Sequence, residues 1–527
     1  MVAGINIRLS DSVSGNGIYS IGVAARKGKG STLMSVTDNL NPKKVFYYFE
    51  EICKIPHGSG NIDRLSDYLV NFAKERDLFY IQDTCKNVII IKEAAPGYED
   101  AEPVILQGHM DMVAVKKPGA LIDMEKEGLR LAIDGDDLLA EDTSLGGDDG
   151  IAVAYALAIL DSNEIAHPRL EVIVTVDEEV GMDGARELDV SMLQGRRMLN
   201  LDSEEEGFIL AGCAGGARVD WTLPVAREER SGKRFAVRLK GLQGGHSGAE
   251  IDKERGNANS LLGRLLYSLS QSMDFYLEEL EGGLADNAIP REARAVIVIG
   301  EEKERLLMDG VKAVEEELRQ ELQTKDPDIR IEVEKLEETE KLEETEEKRI
   351  SCVTGEDTMK VVSLLFAAPC GVQAMSADMK GLVETSLNLG IISLKENKAA
   401  MQFSVRSSLE SAKGALIAKL KSIASIAGAS QEVRGNYPGW AYRKNSPFRD
   451  MAVKVFCDLY GKEPEIQAIH AGLECGLFSA KIPGLECISI GPDMKNIHTT
   501  EERLSISSTE RVWNYVVALL KAAKKGQ

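Results

Sequence analysis

The sequence predicts an α/β protein in which helices flank a mostly parallel sheet and a second, α+β domain is inserted. From about residue 40, short apolar segments typical of buried strands alternate with segments of helical periodicity, the pattern of a parallel sheet covered on both faces. From about Ala214, strands with alternating apolar and polar residues appear, separated by turns. The first pattern returns after NYPGW at 436–440. We therefore predict one domain interrupted by another.

The spacing of apolar residues assigns the elements of the interrupted domain in order. Its first part contains predicted helices at 42–55, 64–77 and 150–161 and predicted strands at 87–93, 103–109, 170–179 and 197–207. Its second part contains a helix at 448–461, a strand at 487–491 and a terminal helix at 510–525. Alternation of this kind is typical of a sheet with helices on both faces.

The inserted segment repeats an order of strands and helices, which predicts an α+β domain of two similar lobes. Its predicted strands are 217–226, 233–242, 292–300, 329–335, 381–394 and 398–408, and its helices are 259–273, 305–322 and 412–428. A duplicated hexamer, KLEETE, occupies 335–340 and 341–346 and is read as a solvated helix or loop.

These patterns divide the chain into four parts. Residues 1–33 are rich in glycine and serine and have no apolar core followed by a small-residue cleavage site, so we expect a peripheral or disordered extension rather than a secretory signal. The first part of the interrupted domain is assigned to 34–213 and its second part to 439–527, and the inserted domain is assigned to 214–438.

Composition narrows the classes of partner and the cellular compartment. The 527-residue chain carries 63 basic and 85 acidic residues, a formal net charge of −22, which argues against nucleic acid or an anionic membrane as a partner. No apolar run reaches the roughly 18–20 residues of a membrane span. The eight cysteines are scattered without a CxxC pair, as expected for reduced thiols in a cytoplasmic protein.

Acidic and histidine side chains stand at five places where a predicted strand ends or a helix begins. His109 and Asp111 follow the apolar strand in VILQGHMD, and residues i and i+2 of an extended segment point to the same side. Taken alone, such a pair is also compatible with an ordinary polar loop. The other four places are Asp148–Asp149 before an apolar helix, Glu178–Glu179 and Asp202 after strands, and His498 after CISIGPDMKNI.

We expect these five places to form one site, because ligands of open α/β sheets bind outside the carboxyl ends of the strands. Aspartates at a helix start are also typical caps, but two adjacent glutamates repel each other unless a cation or a proton lies between them. Two histidines with several carboxylates and no thiolate suit zinc, manganese or cobalt. The groups suffice for two divalent ions, about 3.5–4 Å apart where one carboxylate bridges them.

Several of these segments resemble the ordered motifs of the di-zinc aminoacylase and carboxypeptidase-type metallopeptidases, namely LQGHMDMV, LGGDDG, DEEVGMDGA, LDSEEEG and IHTTEE. Within that family the chain is most similar to the aminoacyl-histidine (Xaa-His) dipeptidases, on the segments CKIPHGSGN, GCAGGA, GLQGGHSGAEID, NAIPREA, YPGW, HAGLECGLF and SIGP. The resemblance runs from about residue 42 to the end of the chain. It implies a zinc-peptidase catalytic domain covered by an inserted lid domain.

The resemblance also implies how the metal ions are held. Asp148 would bridge two ions, with zinc as the expected metal and manganese or cobalt as alternatives. His109 and Asp202 would complete one metal site, and Glu179 and His498 the other.

The resemblance assigns proton transfer and ligand orientation to two more residues. Glu178 would be the general base that activates the attacking water and then passes the proton to the leaving amine. Asp111 would orient His109 as its hydrogen-bonding partner. Asp149 stands where related enzymes often carry asparagine, and it is treated as a neighbour of the site rather than as a ligand.

Substrate contacts are expected from the lid and from the segment after it. In the resembling family the histidine that matches His246 binds the substrate carbonyl and stabilises the oxyanion. Asn287 and Arg406 match positions that contact substrate there, and the planar guanidinium of Arg406 suits a C-terminal carboxylate. His470 and Glu474 in IHAGLECG are expected to line the same site.

The sequence thus predicts a metal-dependent dipeptidase that cleaves small peptides such as Xaa-His and β-alanyl-histidine (carnosine). An N-acyl-amino-acid hydrolase using the same site on another amide is the alternative, and a non-catalytic scaffold that kept the fold is a third hypothesis. The presence of Glu178 beside a full ligand set favours an enzyme over the scaffold.

The family contains homodimers, but a two-lobed lid also completes a site within one chain, so the oligomeric state stays open.

Overall fold

The computed structural model describes residues 35–336 and 349–524. The predicted extension at 1–33 and most of the duplicated hexamer lie outside the described residues. The helices are α1 (Lys43–Cys53), α2 (Asp63–Glu75), α3 (Gly147–Leu160), α4 (Asp183–Glu187), α5 (Ala258–Ser270), α6 (Glu304–Glu321), α7 (Gly355–Ala367), α8 (Glu410–Ala427), α9 (Pro447–Tyr460), α10 (Glu474–Lys481) and α11 (Ile506–Ala522). Among the described residues, no helix is long and apolar enough to cross a membrane.

The strands fall into three runs along the chain. The first run is β1 (Phe79–Gln82), β2 (Val88–Lys92), β3 (Val104–His109), β4 (Leu131–Asp134), β5 (Asp137–Ala140), β6 (Leu170–Thr175), β7 (Arg197–Asn200) and β8 (Phe208–Cys213). The second is β9 (Gly215–Pro224), β10 (Arg227–Arg230), β11 (Lys233–Lys240), β12 (Gly245–His246), β13 (Tyr276–Gly282), β14 (Ala288–Ile289), β15 (Ala293–Ile299), β16 (Arg330–Lys335), β17 (Ile350–Val353), β18 (Gly371–Met375), β19 (Val383–Lys395), β20 (Lys398–Ser407) and β21 (Ser430–Tyr437). The third is β22 (Glu465–Ile469), β23 (Glu486–Ser489), β24 (Met494–Lys495) and β25 (Arg503–Ser505).

Helix starts follow the capping residues of the sequence. Asn257, Thr354, Ser446 and Ser505 precede α5, α7, α9 and α11, and each side chain accepts a hydrogen bond from the backbone N–H three residues later. Helix α3 differs, since it is apolar on all sides after Asp149 and every one of its residues is buried. A helix of that kind is stable only inside a core, and α3 packs against β3 and α1.

An eight-stranded sheet in the order β1-β2-β6-β3-β7-β23-β8-β22 forms the first layer. Its centre, β6-β3-β7-β23, is parallel, whereas β1 and β2 pair antiparallel at one edge. Helices α1, α2, α3, α9 and α11 cover one face of this sheet, and α4 and α10 cover the other. The predicted α/β class is confirmed, with antiparallel pairs added to the parallel centre.

A second, antiparallel sheet takes its strands from residues 215–437, in the order β16-β11-β15-β13-β19-β20-β9-β21, with β18 paired to β19. Helices α5, α6, α7 and α8 pack on it around Trp221, whose ring meets Phe403 edge-on at 4.6 Å between centroids. The two expected lobes share this one sheet, because β13 pairs with β19 at Leu280–Leu394. We refer to this sheet and its helices as the lid; the domain boundaries at 213 and 438 stay predictions.

The chain enters and leaves the lid through two touching segments. Between β8 and β9 only Ala214 intervenes, and its N–H donates to the carbonyls of Ile469 and Ala471. Gly215 faces the returning segment so closely that a Cβ there would lie 2.4 Å from the backbone nitrogen of Gly439. The glycines in GCAGGA and YPGW are therefore required by the close approach of the two segments.

Candidate active site

The structure brings the five predicted metal ligands together at the carboxyl edge of the eight-stranded sheet. Their donor atoms form two groups that share Asp148, and within each group the atoms lie within 4.8 Å of one another. His109 ends β3, Asp148 opens α3, Glu179 and Asp202 follow β6 and β7, and His498 precedes β25.

The two carboxylate oxygens of Asp148 face different histidines. His109 Nε2 lies 3.2 Å from Asp148 Oδ1 and 3.5 Å from Asp202 Oδ1. His498 Nε2 lies 3.1 Å from Asp148 Oδ2 and 2.9 Å from Glu179 Oε1. One carboxylate thus stands between two sets of donors, each with one imidazole and one further carboxylate.

The charge balance of this cluster fits divalent cations. Hydrogen bonds from His498 to Asp148 and Glu179 raise the pKa of that histidine to about 10. The carboxylates of the cluster therefore stabilise a positive charge placed between them. Burial raises the pKa of Asp202 to about 6. Imidazole nitrogens and carboxylate oxygens without a thiolate suit zinc, manganese or cobalt.

A carboxylate that the sequence analysis missed holds the loop in front of Asp148. Glu502 is buried, and its Oε2 accepts hydrogen bonds from the N–H groups of Leu145 (2.7 Å) and Gly146 (3.1 Å). Its Oε1 accepts from the N–H of Gly147 at 2.8 Å. Glu502 lies in IHTTEE, four residues after His498, and its place in that motif was the available signal.

Asp111 joins His109 to the Glu178–Glu179 turn. The Nδ1–H of His109 donates to the backbone carbonyl of Asp111 at 2.9 Å, which leaves Nε2 as the lone-pair nitrogen facing Asp148. The Asp111 carboxylate lies 3.5 Å from the same Nδ1. It also accepts from the N–H groups of Glu178 (3.1 Å) and Glu179 (3.4 Å).

Glu178 lies beside both groups but belongs to neither. Burial raises the pKa of its carboxyl well above the usual range, the nearby carboxylates of Asp202, Glu474 and Glu179 raise it further, and His109 opposes them. A carboxyl with a raised pKa next to a ligand cluster is suited to accept and release a proton.

Asp149 supports the backbone of His109. It is fully buried, its Oδ2 accepts the His109 N–H at 3.1 Å, and it belongs to neither donor group. A Cβ at position 108 would lie 2.5 Å from that Oδ2, so the glycine in QGH leaves room for the carboxyl.

Three of the predicted substrate contacts converge around Gly248. A Cβ on this glycine would lie 3.1 Å from His246 Cε1, 3.2 Å from Arg406 Nε and 2.7 Å from the carbonyl oxygen of His470. Arg406 Nη1 donates to Tyr437 Oη at 3.4 Å, and its Nε is buried without a partner.

The other predicted contacts differ in their surroundings. Asn287 is exposed in the turn before β14 and lines, with His246, a cleft of about 850 Å³ on the lid. His470 is buried, with Nε2 2.7 Å from Ser386 Oγ of β19. Glu474 is also fully buried and accepts hydrogen bonds inside the sheet rather than at a surface.

Replacing Glu502 with glutamine should disorganise the loop in front of Asp148. An amide nitrogen would face backbone N–H donors, and a buried donor without an acceptor costs about 1–3 kcal/mol. We expect a lower melting temperature and divalent-cation binding weakened by about ten-fold or more in titrations of the chelated protein. Glu501→Gln is the matched control, since Glu501 is the exposed partner of Lys117. Wild-type cation affinity in E502Q would contradict the assignment.

Comparison with known proteins identifies the family. A model described as peptidase family M20/M25/M40 matches residues 105–522. The cytosol non-specific dipeptidase of Escherichia coli (strain K12) is 38% identical over 490 residues, which are 93% of this chain and 99% of the relative. The crystal structure of aminoacylhistidine dipeptidase from Vibrio alginolyticus superposes with a TM-score of 0.86 at 37% identity, covering 93% of this chain and 98% of that one. Aminopeptidase PepT from Bacillus cereus shares the fold, with a TM-score of 0.52 at 14% identity over 92% of this chain and 99% of that one. The predicted resemblance is confirmed, and the chain belongs to peptidase family M20/M25/M40.

Proposed function

We propose that the protein is a metal-dependent dipeptidase that hydrolyses Xaa-His and β-alanyl-histidine peptides. The observation that carries this proposal is the Asp148 carboxylate shared by two donor groups, with Glu178 beside them. The names of the relatives support the substrate class, since one is a cytosol non-specific dipeptidase and the other an aminoacylhistidine dipeptidase.

We propose two divalent ions, with zinc as the metal, held by His109 and Asp202 on one side of Asp148 and by Glu179 and His498 on the other. When bound, such ions polarise the scissile carbonyl and lower the pKa of a water molecule.

The protein's own groups then move the proton. Glu178 takes a proton from the attacking water on a carboxylate oxygen and passes it to the nitrogen of the leaving amino acid. Asp111 hydrogen-bonds to the Glu178 backbone and to the His109 ring. These bonds fix the position of the proposed base relative to the proposed metal ligand.

His246 is suited to donate a hydrogen bond to the substrate carbonyl. Its Nδ1 accepts hydrogen bonds from the N–H groups of Gly248 (3.3 Å) and Ala249 (3.0 Å), so the proton of the neutral ring resides on Nε2. Partial desolvation lowers the pKa of His246, and the Arg406 guanidinium lowers it further, so both favour the neutral ring. Arg406, with a free Nε, would bind the C-terminal carboxylate, and Asn287 would contact the substrate from the lid.

We also propose that the enzyme acts in the cytoplasm. The eight cysteines are all unpaired, as expected in a reducing compartment. The net charge of −22 disfavours nucleic acid and anionic membranes as partners. A homodimer remains part of the proposal on the strength of the family resemblance.

A panel of dipeptides and N-acetyl amino acids tests the proposal. The panel contains β-Ala-His, Xaa-His and matched acetylated compounds, each offered to chelated protein and to protein resupplied with zinc. We expect zinc-dependent cleavage of the dipeptides. Cleavage of the acetylated compounds alone would identify an N-acyl-amino-acid hydrolase, and binding of zinc without cleavage of either class would identify a scaffold.

Replacing Glu178 with glutamine should abolish turnover while the metal stays bound. An amide cannot accept the proton from water, and general-base catalysis contributes about 10²–10⁴-fold in rate. Rates on β-Ala-His and metal content by elemental analysis are compared with Glu187→Gln, the same change at an exposed end of α4. Turnover at the wild-type rate in E178Q would remove the general-base role.

Replacing His246 with alanine should lower kcat by about 10²–10³-fold, the usual effect of removing one oxyanion donor. Metal content should stay at the wild-type value, because His246 belongs to neither donor group. His167→Gln is the control, since His167 is buried against Pro168 and lies outside the proposed site. Loss of metal from H246A would instead place this histidine among the ligands.

A further inference from the structure

A chain of polar side chains runs from Asp202 to Glu474 inside the protein. The N–H of Asp202 donates to Asn200 Oδ1 at 3.4 Å, and Asn200 Nδ2 donates to Gln107 Oε1 at 2.6 Å. Gln107 Nε2 then donates to Glu474 Oε2 at 2.6 Å, and Thr175 Oγ1 donates to the same oxygen at 2.6 Å. Asn200, Gln107, Thr175 and Glu474 are each at most 1% exposed.

The members of this chain stand next to the proposed ligands on the central parallel strands. Gln107 precedes His109 by two residues on β3 and therefore points to the same face of the sheet. Asn200 precedes Asp202 by two residues, and Thr175 on β6 is the register neighbour of His109. The carboxyl of Glu474 thus accepts hydrogen bonds from β3 and β6 directly and is linked to Asn200 of β7 through Gln107.

The same residue fixes the segment that connects the sheet to the lid. Glu474 opens α10, and the loop before it carries His470, which contacts Ser386 of β19 at 2.7 Å. Ser386 is the register neighbour of Arg406 across β19 and β20. Loop 470–474 is therefore hydrogen-bonded to the strand ends on one side and to the lid on the other.

The surroundings of Glu474 are unfavourable for a group with only a packing role. Its Oε1 is buried without a hydrogen-bond partner, and burial raises the pKa of the carboxyl to about 8. A buried acid of this kind is destabilising compared with an apolar side chain of similar size. No surface of the residue is open to a substrate.

We infer that Glu474 is a positioning residue that sets the relation between the metal ligands and loop 470–474, and that it does not contact the substrate. The inference rests on the proposed function, because it assigns Glu474 a part in the same site. Glu474 acts by accepting hydrogen bonds from Gln107 and Thr175. A side chain that keeps the acceptor oxygen should therefore keep most of its effect on metal binding and turnover.

The test compares Glu474→Ala and Glu474→Gln with the wild type in two assays. Metal affinity is measured by competition with a chromophoric chelator, without any substrate, and kcat and KM are measured on β-Ala-His. Losing a direct hydrogen-bond partner of a metal ligand typically weakens metal binding by about 10–100-fold. Glu474 reaches the ligands through Gln107 and Asn200, so for E474A we expect the lower end of that range, about ten-fold, with kcat lowered and KM changed by less than about two-fold. E474Q should recover most of both losses.

Glu171→Ala is the matched control. Glu171 is also a fully buried glutamate, on β6, and it accepts hydrogen bonds from the N–H groups of Gln194 and Gly195 at the opposite end of the sheet. E171A should lower the melting temperature and leave metal affinity unchanged. If E474A does not fold, Thr175→Val replaces it, since this nearly isosteric change removes one donor to Glu474 and should weaken metal binding in the same direction.

Two outcomes would overturn the inference. A raised KM with wild-type metal affinity in E474A would make Glu474 a substrate contact. The other outcome is that E474A, or T175V where it is used, keeps the wild-type metal affinity, kcat and KM. That result would show that Glu474 and its hydrogen-bonded partners do not position the metal ligands. Failure of the dipeptidase proposal is separate, because it would appear as an inactive wild type while the metal-affinity comparison still gives its answer.

Discussion

The concentration of negative charge at one edge of the eight-stranded sheet is the constraint on which the rest of the structure depends. Asp148 lies within 4.8 Å of Asp202 and His109 in one donor group and of Glu179 and His498 in the other. Carboxylates at this spacing, screened from water, repel one another strongly. Cations or protons between the carboxylates relieve this repulsion, and the fold also has to hold the acids in place against it.

Backbone amides supply much of that restraint. Glu502 accepts three N–H groups in front of Asp148, and the Asp111 carboxylate accepts the N–H groups of Glu178 and Glu179. In both cases a buried acid fixes a turn that has no regular secondary structure of its own. Hydrogen bonds to Glu502 and Asp111 therefore fix the geometry of the loops of the site. These two acids also add to the negative charge that bound cations would balance.

The sequence predicted that the five proposed ligands come together, because strand ends and helix starts are local features and the carboxyl ends of parallel strands share one edge. It did not predict the part of Glu502, although that residue lies in IHTTEE, or the contact of Gln107 with Glu474, whose positions are 367 residues apart. The single lid sheet was missed for the same reason, because β13 meets β19 through a pairing that no local pattern reveals. Periodicity identifies elements, but contacts between distant segments depend on the packed fold.

Selectivity for dipeptides requires a fixed distance between the group that binds the substrate carboxylate and the group that attacks the peptide bond. In the proposed site the first group, Arg406, belongs to the lid sheet and the second, Glu178, to the edge of the other sheet. Two sheets joined by short connections can shift relative to each other. Loop 470–474 is hydrogen-bonded to both, through Ser386 and through Gln107. The role inferred for Glu474 therefore gives loop 470–474 a part in fixing the distance between the two groups, and with it the length of substrate that the proposed site accepts.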